Sequence, residues 1–280
     1  MAVGAPMSLH NTLQFFITNQ CNLRCAGCFY ADQLSTNHMD FDLYKKTLQE
    51  YVPKFNITKV ILLGGEPTMH PRIADFIEAA KSQLVTIYTN GSKLDALEGQ
   101  VSNRVTVRIG VHGYSISEKP LADVKPPKYP VAIVYMLRKD NIQELSKAVE
   151  DAEARFNCSY FMISSIRDIT ATKSFWKDTN ETLSNNDYKQ EVVKFINQYK
   201  GKLSIHVANR GVIWGCGHNT CRFINIFPDG SCTLCPFDIS LGVKNKPEEF
   251  GRRCTKHNEC LLQKTIWYKS IQDKLANYRY

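Results

Sequence analysis

The sequence predicts an α/β fold built on a parallel sheet. Short runs rich in β-branched and aromatic residues recur along the 280-residue chain, and segments with apolar residues at helical spacing separate them. The residues that stand out chemically fall just after the strand runs, at the end where parallel barrels gather their ligands.

The first strand is Thr12–Thr18, marked by its aromatic and β-branched content. A helix over residues 40–51 follows, with Leu43, Tyr44, Leu48 and Tyr51 on one face. The second strand is Lys59-Val60-Ile61-Leu62-Leu63. Pro71 suits the first turn of a helix reaching Lys81, with Ile73, Phe76, Ile77 and Ala80 on one face. Strands over residues 84–88, 105–111 and 131–137 come next, then an amphipathic helix over 141–156. A strand over 160–166, a helix over 184–200 ended by Gly201, and a strand over 203–207 complete the alternation. Further on, β-formers either side of Pro228-Asp229-Gly230 predict a hairpin. Loops over 117–129 and 167–181 have the length of lids, and equally of disordered tips.

A chain that is 43% hydrophobic and 22% charged carries enough apolar material for a large core, which excludes disorder as its main state. The longest apolar run, Val131 to Leu137, is far short of the ~20 residues of a membrane span. With no signal peptide visible, a soluble, cytoplasmic protein without membrane partners is expected. Net charge is +8, and residues 241–280 supply +5 of it through nine Lys/Arg against four Asp/Glu. That tail reads first as a solvated lysine-rich surface and second as a contact for phosphate, an acidic peptide or nucleic acid.

Ten cysteines fall in two clusters, with Cys158 alone as a small buried hydrophobe. The first cluster, Cys21, Cys25 and Cys28, has the spacing C-x3-C-x2-C. Three thiolates leave a structural zinc site one ligand short, whereas they hold an iron–sulfur cubane at three corners and leave one iron open. A zinc knuckle borrowing a distant ligand is the alternative. About thirty-five residues on, the second strand ends in Gly64-Gly65-Glu66-Pro67. No Lys-Ser/Thr follows these glycines, so a phosphate loop fits poorly.

In these two motifs the sequence resembles radical S-adenosylmethionine (radical SAM) enzymes. Gly27, where the family often has an aromatic, is a departure; Phe29 and Tyr30 follow as in many members. The resemblance implies a partial, six-stranded TIM-like (β/α) barrel. It implies a [4Fe-4S] cluster on Cys21, Cys25 and Cys28, and S-adenosylmethionine held by Tyr30, Gly64, Gly65, Glu66, Pro67 and Asn90. The two glycines let backbone approach a ligand, and Glu66 is suited to the methionine ammonium. Asn90 is equally a turn former before Gly91. His112 stands where many relatives carry an acidic or small polar residue; it reads first as a satisfied structural histidine, second as a substrate or cofactor contact.

The second cluster is Cys216, Cys221, Cys232, Cys235, Cys254 and Cys260. Cys216, Cys221 and Cys235 flank the Pro-Asp-Gly hairpin, which resembles the auxiliary-cluster SPASM and shorter Twitch domains; a zinc ribbon is the alternative. The later run is too cysteine-poor for a complete second auxiliary cluster. The resemblance therefore implies one auxiliary [4Fe-4S] cluster on Cys216, Cys221, Cys235 and Cys254, with Cys260 in place of Cys254 as the alternative and Cys232 unassigned. The expected division is a barrel over residues 1–210 and an auxiliary-cluster domain with a basic helical tail over 211–280.

The implied chemistry is reductive cleavage of S-adenosylmethionine, with an electron from a donor such as flavodoxin or ferredoxin. The resulting radical abstracts a substrate hydrogen, and the auxiliary cluster takes up an electron or binds substrate. Oxidative modification of a peptide or protein side chain is the first expectation. Modification or isomerisation of a nucleobase, nucleotide or small molecule is the second, and a non-catalytic zinc-bearing binding module the third.

Overall fold

In the computed structural model, which describes residues 11–25, 28, 30–115, 117–165, 183, 185–207 and 223–233, the strand runs join one open sheet. The strands are β1 (Thr12–Thr18), β2 (Lys59–Gly64), β3 (Leu84–Thr89), β4 (Val105–Val111), β5 (Val131–Leu137), β6 (Cys158–Ser165), β7 (Ile205–Val207), β8 (Phe223–Ile226) and β9 (Cys232–Thr233). Their order is β7-β6-β5-β4-β3-β2-β1-β8-β9, and every pair is parallel except β8 with β9. The sheet is unclosed, as in a partial barrel, and larger than the expected six strands. β7 extends one edge, and the hairpin of β8 and β9 extends the other.

Among the described residues four α-helices accompany the strands: α1 (Phe41–Lys54), α2 (Ile73–Ala79), α3 (Leu145–Arg155) and α4 (Asn185–Gln198). Alternate strand residues, among them Leu13, Phe15, Val60, Leu62, Val107, Ile109, Ile133 and Phe161, share one buried core with the apolar helix faces. Burying each such side chain contributes about 1.5–3 kcal/mol. Tyr44 ties three elements together, packing edge-on against Phe15 at 4.5 Å and donating its hydroxyl to the Phe76 carbonyl at 2.9 Å. Asp40 caps α1 by accepting from the Asp42 and Leu43 amides at 2.9 and 3.0 Å, worth about 1 kcal/mol.

The intervening strand positions face the other way and form the inner face of the barrel. It carries Gln14, Tyr88, Arg108, Ala132 and Tyr160. At β1, Tyr30, Phe16 and Phe227 stack in series, with ring centres 4.8 and 5.0 Å apart. The hairpin turns at Gly230, whose φ of +78° suits glycine. Asp229 accepts from the Ser231 amide at 2.9 Å. The hairpin continues the barrel's own sheet, because β8 pairs with β1 from Thr12↔Phe223 to Phe15↔Ile226. Cys232 on β9 is 6% exposed and packs into the helix-side core. Cys158 begins β6 with its thiol directed to the Tyr160 carbonyl at 3.2 Å.

The 117–129 loop is pinned to the fold. Leu121 and Val124 are buried, Arg155 donates to the Ala122 and Val124 carbonyls, and the Tyr129 hydroxyl donates to Leu94 at 2.6 Å. The 167–181 loop and Cys216, Cys221, Cys235, Cys254 and Cys260 lie outside the described residues. No described helix is long and apolar enough to cross a membrane.

Candidate functional site

β1 ends at Thr18, and three residues later Cys21 opens the loop that carries Cys25 and Cys28. All three thiols are free and half-buried. The loop is built from within: the Leu23 amide meets Cys21 Sγ at 3.4 Å, and the Cys28 amide donates to the Cys25 carbonyl at 3.3 Å. Burial pushes the Cys25 thiol up to about 11 against the pull of the nearby Lys119 ammonium, and burial raises Cys28 as well. A metal taking these sulfurs must displace their protons. Three soft sulfur donors on one short loop fit a cluster held at three corners.

The Gly-Gly-Glu-Pro segment serves this loop directly. A Cβ on Gly64, whose φ is +140°, would lie 2.2 Å from the Thr18 carbonyl oxygen, and one on Gly65 would lie 2.2 Å from that of Gln20. Both glycines are therefore required by close approach to the chain leading into Cys21. The expected approach to a ligand is not what their geometry demands. Backbone hydrogen bonds Gly65 N to Thr18 O at 2.8 Å and Glu66 N to Gln20 O at 2.7 Å close the clasp.

Glu66 is 1% exposed. Its Oε1 accepts from the Thr68 amide at 3.1 Å, the Thr68 hydroxyl at 2.6 Å and the Thr89 hydroxyl at 2.7 Å. Its Oε2 accepts from the Asn90 amide at 2.6 Å. The carboxylate thus fastens the end of β2 to the end of β3. Pro67 follows as the first residue of a short 3-10 helix, Pro67–Met69. Asn90 makes a turn by accepting from the Ser92 amide at 2.9 Å. Its side-chain nitrogen donates to Asn22 Oδ1 at 2.9 Å and stands 4.0 Å from Cys21 Sγ. Tyr30 is 1% exposed, and its hydroxyl donates to Asn19 Oδ1 at 2.6 Å.

His112, at the end of β4, reaches the same loop. One of its ring nitrogens, Cys25 Sγ and a Glu118 carboxylate oxygen lie within 4.8 Å of one another. His112 Nδ1 and Glu118 Oε1 are 2.9 Å apart, and the Asn141 side chain donates to the His112 carbonyl. The His112 hydrogen bond holds the Glu118 carboxyl down to about 2, while burial lowers His112 itself. Where the imidazole is neutral with its proton on Nδ1, it donates to the Glu118 carboxylate.

Several residues here have no sequence motif. Lys119 is half-buried, lies within electrostatic reach of all three cysteines and Glu66, and covers Gly110, where a Cβ would lie 3.1 Å from its Nζ. Arg108 carries a charge on the inner face of β4. Strand alternation flags Arg108, the one charged residue in Val-Thr-Val-Arg-Ile-Gly-Val; nothing local flags Lys119.

The Radical SAM superfamily matches residues 15–164. A tungsten-containing aldehyde ferredoxin oxidoreductase cofactor-modifying protein from Pyrococcus furiosus is 41% identical over 85 residues, 28% of this chain and 23% of its own length. A GTP 3',8-cyclase from Chlorobaculum tepidum is 28% identical over 139 residues, 48% of this chain and 38% of its own. An S-adenosylmethionine-dependent nucleotide dehydratase from Flammeovirga pacifica is 36% identical over 90 residues, 30% of this chain and 31% of its own. The chain thus spans less than two-fifths of the length of each of these curated relatives. Among solved structures, Streptococcus suis SuiB bound to precursor peptide SuiA matches with a TM-score of 0.65 and 15% identity, over 97% of this chain and 68% of that one. Native anSMEcpe with bound AdoMet and Kp18Cys peptide matches with a TM-score of 0.62 and 16% identity, over 89% and 82%. These last two establish a shared fold. With more than half of the sequence inside the family match, and both sequence motifs joined at one end of the sheet, the chain belongs to the radical SAM superfamily.

Proposed function

We propose that the chain cleaves S-adenosylmethionine reductively at Cys21, Cys25 and Cys28 and uses the product to take a hydrogen atom from a small molecule seated on the inner face of the barrel. The observation that carries this reading is the clasp between the cysteine loop and Gly64-Gly65-Glu66-Pro67, which holds three free thiols at the C-terminal end of β1. A [4Fe-4S] cluster held by Cys21, Cys25 and Cys28 would supply the one-electron reducing chemistry that cleavage of the sulfonium needs. Tyr30 and Asn90 border the same loop and position the cofactor through it. Lys119 offsets negative charge gathered on the sulfurs. A low-potential donor such as flavodoxin or ferredoxin delivers the electron.

A small-molecule substrate is favoured by the curated relatives, whose names specify GTP cyclisation and nucleotide dehydration. A peptide side chain is the second reading, favoured by Cys216, Cys221, Cys235 and Cys254 or Cys260 as ligands of an auxiliary [4Fe-4S] cluster. Cys232 stays out of that set, since its side chain fills the core. The test is anaerobic reconstitution followed by dithionite and S-adenosylmethionine. Equal release of methionine and 5′-deoxyadenosine is expected, and its loss in Cys25→Ala. A reconstituted wild-type protein that binds iron yet releases neither product overturns the reading.

A further inference from the structure

The alternation that buries Val107, Ile109 and Val111 among the helices turns Arg108 to the inner face. Register places Tyr88 of β3 on one side of it, Ala132 of β5 on the other, and Tyr160 of β6 beyond Ala132. The alanine is small enough for a contact to cross it. The guanidinium carbon of Arg108 lies 5.4 Å from the Tyr88 ring centre and 5.6 Å from that of Tyr160. Arg108 Nη1 donates to the Tyr88 hydroxyl at 2.6 Å. His206 of β7 stacks on Tyr160, with centroids 4.5 Å apart.

Arg108 Nε and the Tyr160 hydroxyl are buried and make no well-formed hydrogen bond, the hydroxyl lying only within electrostatic reach of the Arg108 guanidinium. Among the described residues no carboxylate pairs with Arg108 or with Lys59 at the start of β2. Lys59 is near enough to Arg108 for their charges to repel. Two neighbouring cations without a carboxylate, and a buried guanidinium donor left unpaired, are unfavourable in a folded chain, and such local violations concentrate at functional sites.

We propose that the inner face around Arg108 binds the phosphate group of a small-molecule substrate. Arg108 Nε and the Tyr160 hydroxyl donate to the phosphate oxygens, and Lys59 adds positive charge from β2. The planar guanidinium fork matches phosphate geometry, and Tyr88 fixes the orientation of that fork. Gly110 stands two residues above Arg108 on β4, about 7 Å along the strand. A molecule anchored by its phosphate at Arg108 therefore extends past Gly110 and Lys119 toward the cysteine loop. This inference rests on the barrel's inner face being where substrate reacts.

The test is isothermal titration of inorganic phosphate into the full-length, anaerobically reconstituted protein at constant ionic strength, with acetate titrated in parallel. Phosphate is expected to bind, Arg108→Gln to weaken it about tenfold or more, and Tyr160→Phe about threefold while melting close to the wild type. Absence of binding at about 10 mM phosphate overturns the proposal, as does affinity unchanged by both substitutions. Acetate binding as tightly as phosphate also overturns it, because the anion recognised would then be a carboxylate. Where Arg108→Gln does not fold, Tyr160→Phe decides alone. Product release by the wild type without phosphate decides the radical reading separately, so either can fail while the other stands.

Discussion

Replacing Glu66 by Gln separates two roles for this residue, a fastener within the fold or a ligand for the cofactor's ammonium. As a fastener the carboxylate takes four donors while 1% exposed. The best placement of the amide keeps its oxygen on the three donors from Thr68 and Thr89. It then sets an NH2 against the Asn90 amide, now 2.6 Å from Oε2. One strong hydrogen bond becomes a donor–donor contact, and three charge-assisted bonds become neutral ones, a loss of about 3 kcal/mol. For a chain of this size about 2–4 °C accompanies each kcal/mol, so the melting temperature should fall by about 6–12 °C. Thr89→Val removes one of the same donors at about 1–2 kcal/mol. The double variant should lose less than the sum of the singles, because the two share a bond. The assay is thermal unfolding of the reconstituted proteins beside equilibrium binding of S-adenosylmethionine. A Glu66→Gln protein that melts within about 2 °C of the wild type yet no longer binds S-adenosylmethionine would refute the fastener.

Gly65→Ala places a methyl 2.2 Å from the Gln20 carbonyl, so the cysteine loop must move; iron bound at the first cluster should drop well below about four per chain while far-UV circular dichroism stays native. Cys21→Ala/Cys25→Ala/Cys28→Ala protein should retain about four irons and four sulfides if the C-terminal cysteines hold a cubane; about one zinc in their place would make that region a ribbon. Lys119→Met removes a cation beside all three cysteines, and the first cluster's midpoint potential should fall by tens of millivolts in protein-film voltammetry. An unchanged potential would place the ammonium's influence elsewhere.

Strong alternation made the barrel legible. Thr12–Thr18, Val105–Val111 and Val131–Leu137 have the predicted bounds because each pairs a helix-facing set of aliphatics with a distinct inner set. α2 is shorter than its apolar spacing suggests, because His70 Nδ1 takes the Arg72 amide at 3.1 Å and keeps the first turn out of the helix. β6 begins at Cys158, where pairing with Val131 overrides local content. The cysteine loop and the Gly-Gly-Glu-Pro segment were legible as motifs, but the physical demand on the glycines was not. It comes from the carbonyls of Thr18 and Gln20, more than forty residues earlier. Arg108 and Tyr160 share a site only through Ala132, a register fact that no one-dimensional pattern contains.

The pairing of β8 with β1 also governs how the chain reaches its native state. β1 leads into the cysteine loop, and its two neighbours in the sheet begin at residues 59 and 223. A ribosome delivers the second of these more than two hundred residues after the first strand has emerged. Until then β1 has one open edge, a template for unwanted pairing between nascent chains. Contacts this distant in sequence slow folding, so the support beneath the first three cysteines is among the last parts of the barrel to be completed. Chains truncated before residue 223 should therefore aggregate through β1, and iron–sulfur assembly on that loop should be efficient only after the polypeptide has left the ribosome.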